Sequence, residues 1–468
     1  MRRTKIVCTI GPASRTPETL ERLIRAGMDV ARLNFSHGTQ AEHLEVITTV
    51  RRIATGLGRS VAILQDLAGL KIRLGEIASG SVTLEAGAPF TLTTRQVLGS
   101  GQQVSVPYPH LTTDVQPGDT LLLSDGDVEL EVIGTTEEDV RCQVITGGTL
   151  ASRKGVHLPA NSITAAPFTD KDRDDLAFGL RCEVDYVALS FVRTAADVRE
   201  VRGMIQDHES TVPLIAKIET QPALTNIDEI LDSVDGIMVA RGDLGVAIPL
   251  ATVPRLQKML IGKANRAGKP VITATQMLRS MQDSPRPTRA EVTDVANAVL
   301  DGTDAVMLSE ETAIGRFPIE AVTMMAAIAA DAESSFPFDA WIHRFETGGP
   351  LPEAVARAAC TMAADIDAAA IVSYTQSGST ARRVAQYRPR APIIAPTPHA
   401  ETYRRLALVW GVTPLLDQSQ PTTDALIDGA LGAALVAASV RRGDTVVITA
   451  SDPVRCPGVT NSIRVETL

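Results

Sequence analysis

Residues 235–274 read DGIMVARGDLGVAIPLATVPRLQKMLIGKANRAGKPVITA. Two short β-branched and apolar runs, 235–240 and 270–274, enclose a stretch of helical periodicity at 252–267. Apolar residues at i, i+3 and i+4 between two such runs are typical of a strand–helix–strand unit. The two strands of this unit are predicted to lie parallel in one sheet.

The same rhythm extends in both directions along the chain. Further strands are predicted at 4–9, 29–34, 61–66, 185–190, 213–218 and 304–309, and further helices at 17–27, 195–207, 288–301 and 318–334. Eight strands that alternate with helices over about 250 residues predict an α/β fold, a closed (β/α)8 TIM barrel.

Two segments depart from the rhythm. The first turns to short alternating strands broken by Gly, Pro and Asp, which predicts an inserted all-β domain able to act as a lid. The second follows a linker, E-T-G-G-P-L-P at 346–352, and returns to strands at 369–374, 391–396 and 445–449. The predicted domains are a barrel over 1–68 and 167–340, a lid over 69–166 and a C-terminal α/β domain over 341–468.

Bulk properties exclude several classes of protein. A net charge of −10 without a basic run argues against nucleic acid and anionic membranes as partners, since both attract clustered Lys and Arg. The five cysteines are odd in number, scattered and never in C-x-x-C spacing, so neither a disulfide framework nor a zinc cluster is predicted. No signal-peptide core follows Arg2, Arg3 and Lys5, and no run nears the ~18 apolar residues of a membrane span. A cytoplasmic location is expected.

Polar residues follow six of the eight predicted barrel strands, where functional residues of such barrels gather. They are Arg32, Asn34 and Ser36 after strand 2, Asp66 after strand 3, Lys217 and Glu219 after strand 5, Arg241, Gly242 and Asp243 after strand 6, Thr275 and Gln276 after strand 7, and Ser309, Glu310 and Glu311 after strand 8. Any one of them could be an ordinary cap or turn residue. Their coincidence at six strand ends predicts one active site at this rim.

The mixture of residue types indicates phosphoryl chemistry. Glu219 and Asp243, from adjacent strand ends, can hold Mg2+ and leave positions open for substrate oxygens. Lys217 lies on the same strand face as Glu219, so its ammonium can stabilise charge on a transferring phosphoryl group or an enolate. Further cations for phosphates are Arg32, Arg73 and Lys154. Gly242 allows a backbone N–H to approach a substrate carboxylate.

Eight motifs then point to one family. They are T-K-I-V-C-T-I-G-P-A-S, M-D-V-A-R-L-N-F-S-H-G, S-R-K-G-V-H-L-P, A-L-S-F-V-R, I-A-K-I-E-T, D-G-I-M-V-A-R-G-D-L-G-V, K-P-V-I-T-A-T-Q-M-L and A-V-M-L-S. In order and spacing, the chain resembles the pyruvate kinases over nearly its whole length. The resemblance implies a (β/α)8 barrel with a β-barrel lid domain after strand 3 and a C-terminal α/β domain.

The resemblance also implies a reaction, in which phosphoenolpyruvate passes its phosphoryl group to ADP to give ATP and pyruvate in the last step of glycolysis. By motif match, Glu219 and Asp243 bind Mg2+, with Mn2+ as the alternative, and Lys217 stabilises the phosphoryl and enolate charge. The resemblance further implies that Arg32 binds the substrate phosphate and that Gly242, Asp243 and Thr275 contact the carboxylate end of the substrate. Arg73 and Lys154 are implied to bind the nucleotide phosphates. Thr275, with a water relay near Ser309, is implied to deliver the proton to the enolate.

A monovalent site is altered in this chain. Asn34, Ser36, Asp66 and the carbonyl of residue 67 match the family's K+ ligands, but members that need K+ carry Thr where Leu67 stands and Glu where Lys71 stands. The Lys71 ammonium can supply the charge that K+ supplies elsewhere. Full activity without K+ is therefore predicted.

Two other departures concern the rim. Leu70 stands where the family usually has Pro, which predicts a less rigid hinge into the lid. Glu310 stands where the family has Gly; it could disturb the edge of the pocket or face solvent, and we favour solvent.

The C-terminal domain carries one more motif, T-Q-S-G-S-T at 375–380, before a predicted helix at 380–387. Hydroxyls, a glycine and a helix N-terminus suit a phosphate, although an ordinary capped turn reads the same way. The resemblance places the phosphate of an allosteric activator here, a sugar phosphate or a nucleoside monophosphate, on Thr375, Ser377, Gly378, Ser379 and Thr380. It also implies a homotetramer.

Two rival hypotheses remain at the level of sequence. A barrel lyase or aldolase that stabilises a pyruvate enolate on Mg2+ also places Glu and Asp at strand ends, but it gives no reason for the lid or for Lys154. A catalytically silent metabolite sensor would use the C-terminal loop alone, yet Lys217, Glu219, Asp243 and Thr275 are all present.

Overall fold

The fold is taken from a computed structural model of the 468-residue chain. The structure describes residues 2–159, 163–345, 349–417, 432, 440–450 and 460–468. Part of the predicted linker at 346–352 and Cys456 lie outside these residues.

Eight parallel strands close into a barrel, as predicted. Numbered with all other strands in chain order, they are β1 (Lys5–Thr9), β2 (Val30–Asn34), β3 (Ala62–Asp66), β12 (Tyr186–Leu189), β13 (Leu214–Ile218), β14 (Gly236–Ala240), β15 (Val271–Ala274) and β16 (Ala305–Leu308). Their order around the barrel is β1-β16-β15-β14-β13-β12-β3-β2. The carboxyl ends of all eight strands therefore meet at one rim.

Helices surround the barrel and return the chain to the start of each strand. They are α1 (Pro17–Ala26), α2 (Gln40–Gly56), α3 (Asp170–Arg181), α4 (Ala195–Asp207), α5 (Gln221–Thr225), α6 (Ile227–Ser233), α7 (Arg241–Ala247), α8 (Val253–Arg266), α9 (Arg289–Asp301), α10 (Glu310–Ala313) and α11 (Pro318–Ser334). Capping boxes start three of the longer helices, where Thr39, Thr169 and Thr288 each bond reciprocally with an acidic residue three positions later.

The barrel strands are buried on both faces. Inward-pointing residues such as Val7, Leu64, Ile215 and Met238 form one cluster inside the barrel. Their neighbours pack outward against the helices in the largest core of the molecule. Burial on both faces explains the continuous apolar runs from which these strands were predicted.

The lid follows β3. It contains the strands β4 (Ser81–Leu84), β5 (Pro89–Thr93), β6 (Gln103–Ser105), β7 (Thr120–Leu123), β8 (Val128–Thr135), β9 (Asp139–Thr146), β10 (Gly148–Ala151) and β11 (Val156–His157). Six of them form a sheet in the order β11-β7-β8-β9-β5-β6, and β10 pairs with β4 in a separate ribbon. Both pieces enclose one apolar core, which includes Phe90, Leu121 and Val140.

In the C-terminal domain, the described residues form a five-stranded sheet in the order β19-β18-β17-β20-β21. Its strands are β17 (Ala370–Ser373), β18 (Ile393–Thr397), β19 (Val412–Leu416), β20 (Thr445–Ala450) and β21 (Ser462–Thr467), and its helices are α13 (Leu351–Asp365), α14 (Ser379–Gln386) and α15 (Ala400–Arg405), preceded by α12 (Phe338–Ile342). The two edge strands, β19 and β21, were not predicted.

A buried arginine joins this domain to the base of the barrel. Arg388 donates to Asp304 Oδ1 at 2.9 Å, to the Gly302 carbonyl at 2.9 Å and to Asn265 Oδ1 at 3.1 Å. Its guanidinium also lies 4.8 Å from the ring centre of Trp410.

Within the described residues, no helix is long and apolar enough to cross a membrane.

Candidate active site

A buried ion cluster occupies the rim where β2, β3 and β13 end. Lys217 Nζ lies 2.9 Å from Glu219 Oε1 and 3.4 Å from Asp66 Oδ1. On the other side of Asp66, Arg32 Nε donates to Oδ2 at 2.6 Å. Burial alone lowers the pKa of Lys217, but the charges of Asp66 and Glu219 outweigh it and raise that pKa above its ordinary value. The lysine therefore presents a fixed positive charge to the rim.

The end of β12 contributes two residues to the site that the sequence did not predict, Ser190 and Phe191. The Ser190 hydroxyl accepts a hydrogen bond from Lys217 Nζ at 2.8 Å and donates to the carbonyl of Leu67 at 2.7 Å. The next residue, Phe191, has a positive φ of 55° and donates its backbone N–H to Glu219 Oε2 at 2.8 Å. The end of β12 thus orients both Lys217 and Glu219.

Glu219 and Asp243 line the same cleft, as expected of a metal pair. Within the described residues, the buried Oε1 of Glu219 has no hydrogen bond of acceptable geometry, although the Lys217 ammonium lies nearby. Burial raises the pKa of Glu219, and the charge of Asp243 raises it further against the opposing effect of Lys217. Glu219 and Asp243 would hold a divalent cation, which would favour the ionised form of both carboxylates, so the residues present fit Mg2+.

No third carboxylate, histidine or cysteine joins this pair to form a metal-binding cluster in the part of the chain that the structure describes. Mg2+ suits such a site, because it keeps several positions for water and substrate oxygens.

Lys71 reaches the cleft from the opposite side. Its Nζ lies 3.3 Å from Asp243 Oδ1. Burial tends to raise the pKa of Asp243, but the charges of Lys71 and Lys217 outweigh it and hold that pKa below its ordinary value. The ammonium that was expected to substitute for K+ is thus drawn toward a predicted Mg2+ ligand.

The residues predicted as monovalent ligands lie at or just after the ends of β2 and β3. Asn34 lies opposite Asp66 in the strand register, and the Asn34 side-chain oxygen accepts the Ser36 N–H at 3.1 Å. The carbonyl of Leu67 accepts the Ser190 hydroxyl. In addition to burial, the charges of Arg73 and Lys71 lower the pKa of His37, next to Ser36. Lys71 therefore acts electrostatically on His37, although its ion pair is with Asp243.

The loop after β15 is held in an uncommon conformation. Thr275 and Gln276 have φ values of 71° and 56°, a region that β-branched residues such as threonine rarely adopt. Thr275 Oγ1 accepts the Gly242 N–H at 2.7 Å. Arg241 fixes this arrangement, since it donates to the Thr275 carbonyl at 2.8 Å and to Asp294 at 2.6 Å. Backbone strain of this kind is common at functional sites.

Ser309 lies at the end of β16. Its side-chain oxygen is buried without a hydrogen-bond partner among the described residues. Its backbone N–H donates to Glu311 Oε2 at 2.7 Å, and Glu311 Oε1 accepts the Leu278 N–H at 3.1 Å. Glu311 is therefore a structural link between the loops after β15 and β16. Glu310 is exposed, which confirms that it faces solvent.

The lid forms the far wall of a cleft of about 410 Å3. The segment that enters the lid pairs with the segment that leaves it, with Arg73 opposite Gly155. Arg73 also donates to the Arg153 carbonyl at 3.2 Å, and Lys154 is exposed. The hinge is tied to the barrel, because Gly69 N–H donates to Asp172 at 3.1 Å and Leu70 N–H to the Pro167 carbonyl at 3.1 Å.

The candidate effector loop joins β17 to α14. Gly378 has a φ of 82° and caps the helix, which begins at Ser379. Ser377 is exposed and donates to the Ser379 hydroxyl at 3.2 Å. Thr375 is buried, and the Thr380 hydroxyl shares a hydrogen bond with Thr460 at 2.8 Å. The exposed part of the loop is thus its centre.

Two of the three site residues that the sequence prediction missed stand at the ends of barrel strands. Thr9 ends β1 and accepts a hydrogen bond from Arg32 at 2.8 Å, and Ser190 follows β12. Strand-end inspection applied to strands 1 and 4 would have found both. The Phe191 backbone donor has no such signal, since its direction depends on a local φ.

Comparisons with known proteins agree with this geometry. Residues 1–322 match the family profile "Pyruvate kinase, barrel domain", and residues 353–466 match "Pyruvate kinase, alpha/beta domain". This chain belongs to the pyruvate kinase family. Pyruvate kinase 2 of Synechocystis sp. is 50% identical over 471 residues, which cover 99% of this chain and 79% of that protein.

Two further pyruvate kinases resemble the enzyme. That of Geobacillus stearothermophilus is 48% identical, covering 100% of this chain and 80% of that protein. The crystal structure of a pyruvate kinase from Cryptosporidium parvum matches with a TM-score of 0.94 at 38% identity, covering 100% of this chain and 96% of that chain. The enzyme is accordingly a phosphotransferase and depends on a divalent metal. Its substrates and products are phosphoenolpyruvate, pyruvate, ADP and ATP.

Proposed function

We propose that the rim cluster around Lys217 is the centre of phosphoryl transfer from phosphoenolpyruvate to ADP. In this step an oxygen of the ADP β-phosphate attacks phosphorus, and the bond from phosphorus to the enol oxygen breaks. The enolate left behind takes a proton at its terminal carbon and becomes pyruvate. The observation that carries the proposal is the Lys217 ammonium held between Glu219 and Asp66 at the wall of a lidded cleft.

Glu219 and Asp243 are the residues that would hold Mg2+. When bound, the metal supplies positive charge that stabilises phosphoryl and enolate oxygens. Glu219 Oε1 supports this assignment, because it makes an ion pair with Lys217 but has no hydrogen bond among the described residues. Asp243 is further oriented by its place in the first turn of α7.

Lys217 and Arg32 act on the anionic substrate. Because Asp66 binds both side chains, their cationic ends are fixed before the substrate arrives. Fixed charges need no reorganisation when charge develops, which is the main source of electrostatic catalysis. Lys217 serves the transferring phosphoryl group and the enolate oxygen, and Arg32 the substrate phosphate.

Gly242, Asp243 and Thr275 hold the carboxylate end of the substrate. The Gly242 N–H points to Thr275 Oγ1 at this edge of the cleft, and a substrate carboxylate would take the place of Oγ1 as its acceptor. Proton delivery to the enolate runs through Thr275 and a water near Ser309, whose hydroxyl is buried and unpartnered among the described residues. Lid closure excludes water that would otherwise hydrolyse the phosphoryl group.

Arg73 and Lys154 bind the nucleotide phosphates from the lid. They lie on the two paired segments that enter and leave the lid, residues 71–74 and 154–157, which we call the hinge ribbon. The pairing of Arg73 with Gly155 supports this. A lid that carries nucleotide-binding cations closes when the nucleotide binds, which couples occupancy to water exclusion.

The ion requirement, the regulation and the assembly of the enzyme follow from the same residues and from its family. The enzyme needs Mg2+, accepts Mn2+ in its place and works without K+, since Lys71 brings its own positive charge into the cleft, where it pairs with Asp243. A phosphorylated metabolite activates it at residues 375–380. It acts as a homotetramer in the cytoplasm.

A coupled assay with phosphoenolpyruvate, ADP and Mg2+ tests the reaction. We expect ATP and pyruvate in equal amounts, and no ATP after Lys217→Met. Conversion of pyruvate-derived substrates without ATP would instead indicate a lyase. Candidate sugar phosphates and nucleoside monophosphates added to the same assay test activation, with Ser377→Ala as the variant expected to lose it.

A further inference from the structure

His157 brings an unexplained imidazole to the wall of the active cleft. It lies on β11, in the segment that leaves the lid, and it lines the cleft together with Lys71 and Asp243. Among the described residues, its buried Nε2 has no hydrogen-bond partner. Buried polar nitrogens are normally paired, so this atom points to a partner that arrives with a ligand.

The hinge ribbon sets His157 directly across from Lys71. Arg73 pairs with Gly155 in antiparallel fashion, and the flanking bonds from Val156 N–H to the Ile72 carbonyl and from Leu74 N–H to the Lys154 carbonyl are both 2.9 Å. Continuing this register by two residues places Lys71 opposite His157. The two side chains therefore share one face of the ribbon.

Gly155 leaves a small open space between these side chains. A Cβ at that position would lie 3.6 Å from His157 Nε2, 3.8 Å from Lys71 Cε and 4.0 Å from Asp125 Oδ1. The space is thus bordered by a ring nitrogen, a lysine and a carboxylate. Asp243 stands beyond Lys71, 3.3 Å from its ammonium.

The charges around this space select a particular ligand. A lone anion would gain from Lys71 but would meet the carboxylates Asp125 and Asp243. A phosphate chain that carries a divalent metal offers oxygens to Lys71 and His157 and positive charge to the carboxylates. A metal-bound nucleoside diphosphate has this combination.

We propose that His157 is a nucleotide-positioning residue, whose Nε2–H donates to a phosphate oxygen of the metal-bound nucleoside diphosphate. A neutral imidazole can donate from this nitrogen, so the role needs no change of protonation. It adds a directional donor to the cations Arg73 and Lys154 on the same ribbon. The inference rests on the proposed phosphoryl transfer to ADP.

The variant His157→Leu removes the donor and keeps an apolar side chain of similar bulk, whereas His157→Gln keeps an N–H near the position of Nε2. We expect His157→Leu to raise the KM for ADP and the Kd for MgADP about tenfold, the loss of one hydrogen bond to a charged group. The KM for phosphoenolpyruvate and kcat should stay unchanged, and His157→Gln should recover most of the affinity. His110→Leu, at an exposed lid histidine, is the matched control and should change nothing.

Calorimetry with MgADP separates the possible failures. An unchanged Kd in His157→Leu, with or without a lower Tm, would show that His157 only packs the lid and would overturn the inference. A raised KM for phosphoenolpyruvate with an unchanged Kd for MgADP would overturn it in favour of the other substrate. If the wild-type chain binds MgADP but makes no ATP, the proposed reaction fails, while the difference in Kd between the variants still decides the role of His157.

Discussion

Lys71 Nζ lies 3.3 Å from Oδ1 of Asp243, so a cation from the lid hinge and a carboxylate from the helix after the sixth barrel strand meet across the cleft. Because Lys71 belongs to the hinge, the proposed closure of the lid would change this contact. The ammonium can therefore stay on Asp243 or turn toward the phosphates once a divalent metal takes its place there. Either position supplies a positive charge that is part of the chain.

Lys71→Met should make the enzyme depend on K+. The wild-type chain is expected to keep its full rate when K+ is replaced by tetramethylammonium at constant ionic strength, because Lys71 supplies the monovalent charge. The variant should lose most of its rate in that buffer and regain part of it with K+. A large loss of wild-type turnover on K+ removal would show that Lys71 does not replace the ion.

Ser190→Ala should slow the reaction without unfolding the barrel. Its hydroxyl links Lys217 Nζ to the Leu67 carbonyl, and loss of one hydrogen bond to a charged group corresponds to a fall in kcat/KM of about 10- to 100-fold. Steady-state kinetics measure the effect. Ser233→Ala is the control and should leave kcat/KM unchanged, because Ser233 is half-buried at the end of α6, before the start of β14, and its hydroxyl bonds within its own helix. Equal kinetics for both variants would remove Ser190 from the site.

Glu291 should make stability depend on pH in the acid range. Burial tends to raise its pKa, but hydrogen bonds from Ser280 and Thr288 outweigh burial and lower that pKa below the ordinary value of 4.5. A carboxyl with a lowered folded-state pKa stabilises the fold above its unfolded pKa, and this contribution is lost as pH falls through the folded pKa. Glu291→Gln should therefore cost about 1 kcal/mol near neutral pH, as for a lost helix cap.

The difference in Tm between Glu291→Gln and the wild-type chain, followed from pH 7 down to about 3.5, checks this sign. The gap should shrink on acidification. A gap that stays constant or widens would mean that the capping hydrogen bonds do not depend on the ionised carboxylate.

Arg388→Met should weaken the whole molecule. The substitution leaves Asp304 buried without its cation, and breaking a buried pair by removing one partner costs about 3–5 kcal/mol. Arg390→Met removes an exposed pair with Asp339 and should cost less than about 1 kcal/mol. Urea unfolding of the two variants gives the comparison, and similar midpoints would contradict the assigned role of Arg388.

The barrel was predictable because its strands are buried on both faces and its helices have one apolar face, so each leaves a distinct period in the sequence. Edge strands lack that signature. Strand β19 contains Pro414, which is tolerated at an edge but reads as a break, and β21 mixes charged and apolar residues with much of its length exposed. Both were therefore missed.

Within the site, the residue set was predictable but its pairing was not. The strand-end rule located Lys217, Glu219 and Asp243, since parallel strands must end at one rim. The partner of Lys71 depends on the position of the lid relative to the barrel, and the donor to Glu219 depends on the positive φ of Phe191. Neither property has a periodic or compositional trace.

If the Lys217 cluster transfers a phosphoryl group with Mg2+ on Glu219 and Asp243, ATP formation must depend on Mg2+ and on both carboxylates. ATP formation from phosphoenolpyruvate and ADP, with Mg2+ titrated for the wild-type chain and for Glu219→Gln, tests this dependence. We expect wild-type ATP formation to stop when Mg2+ is chelated, and the variant to stay folded but lose activity by at least about 100-fold. Undiminished ATP formation by Glu219→Gln at the same Mg2+ concentrations would contradict this expectation.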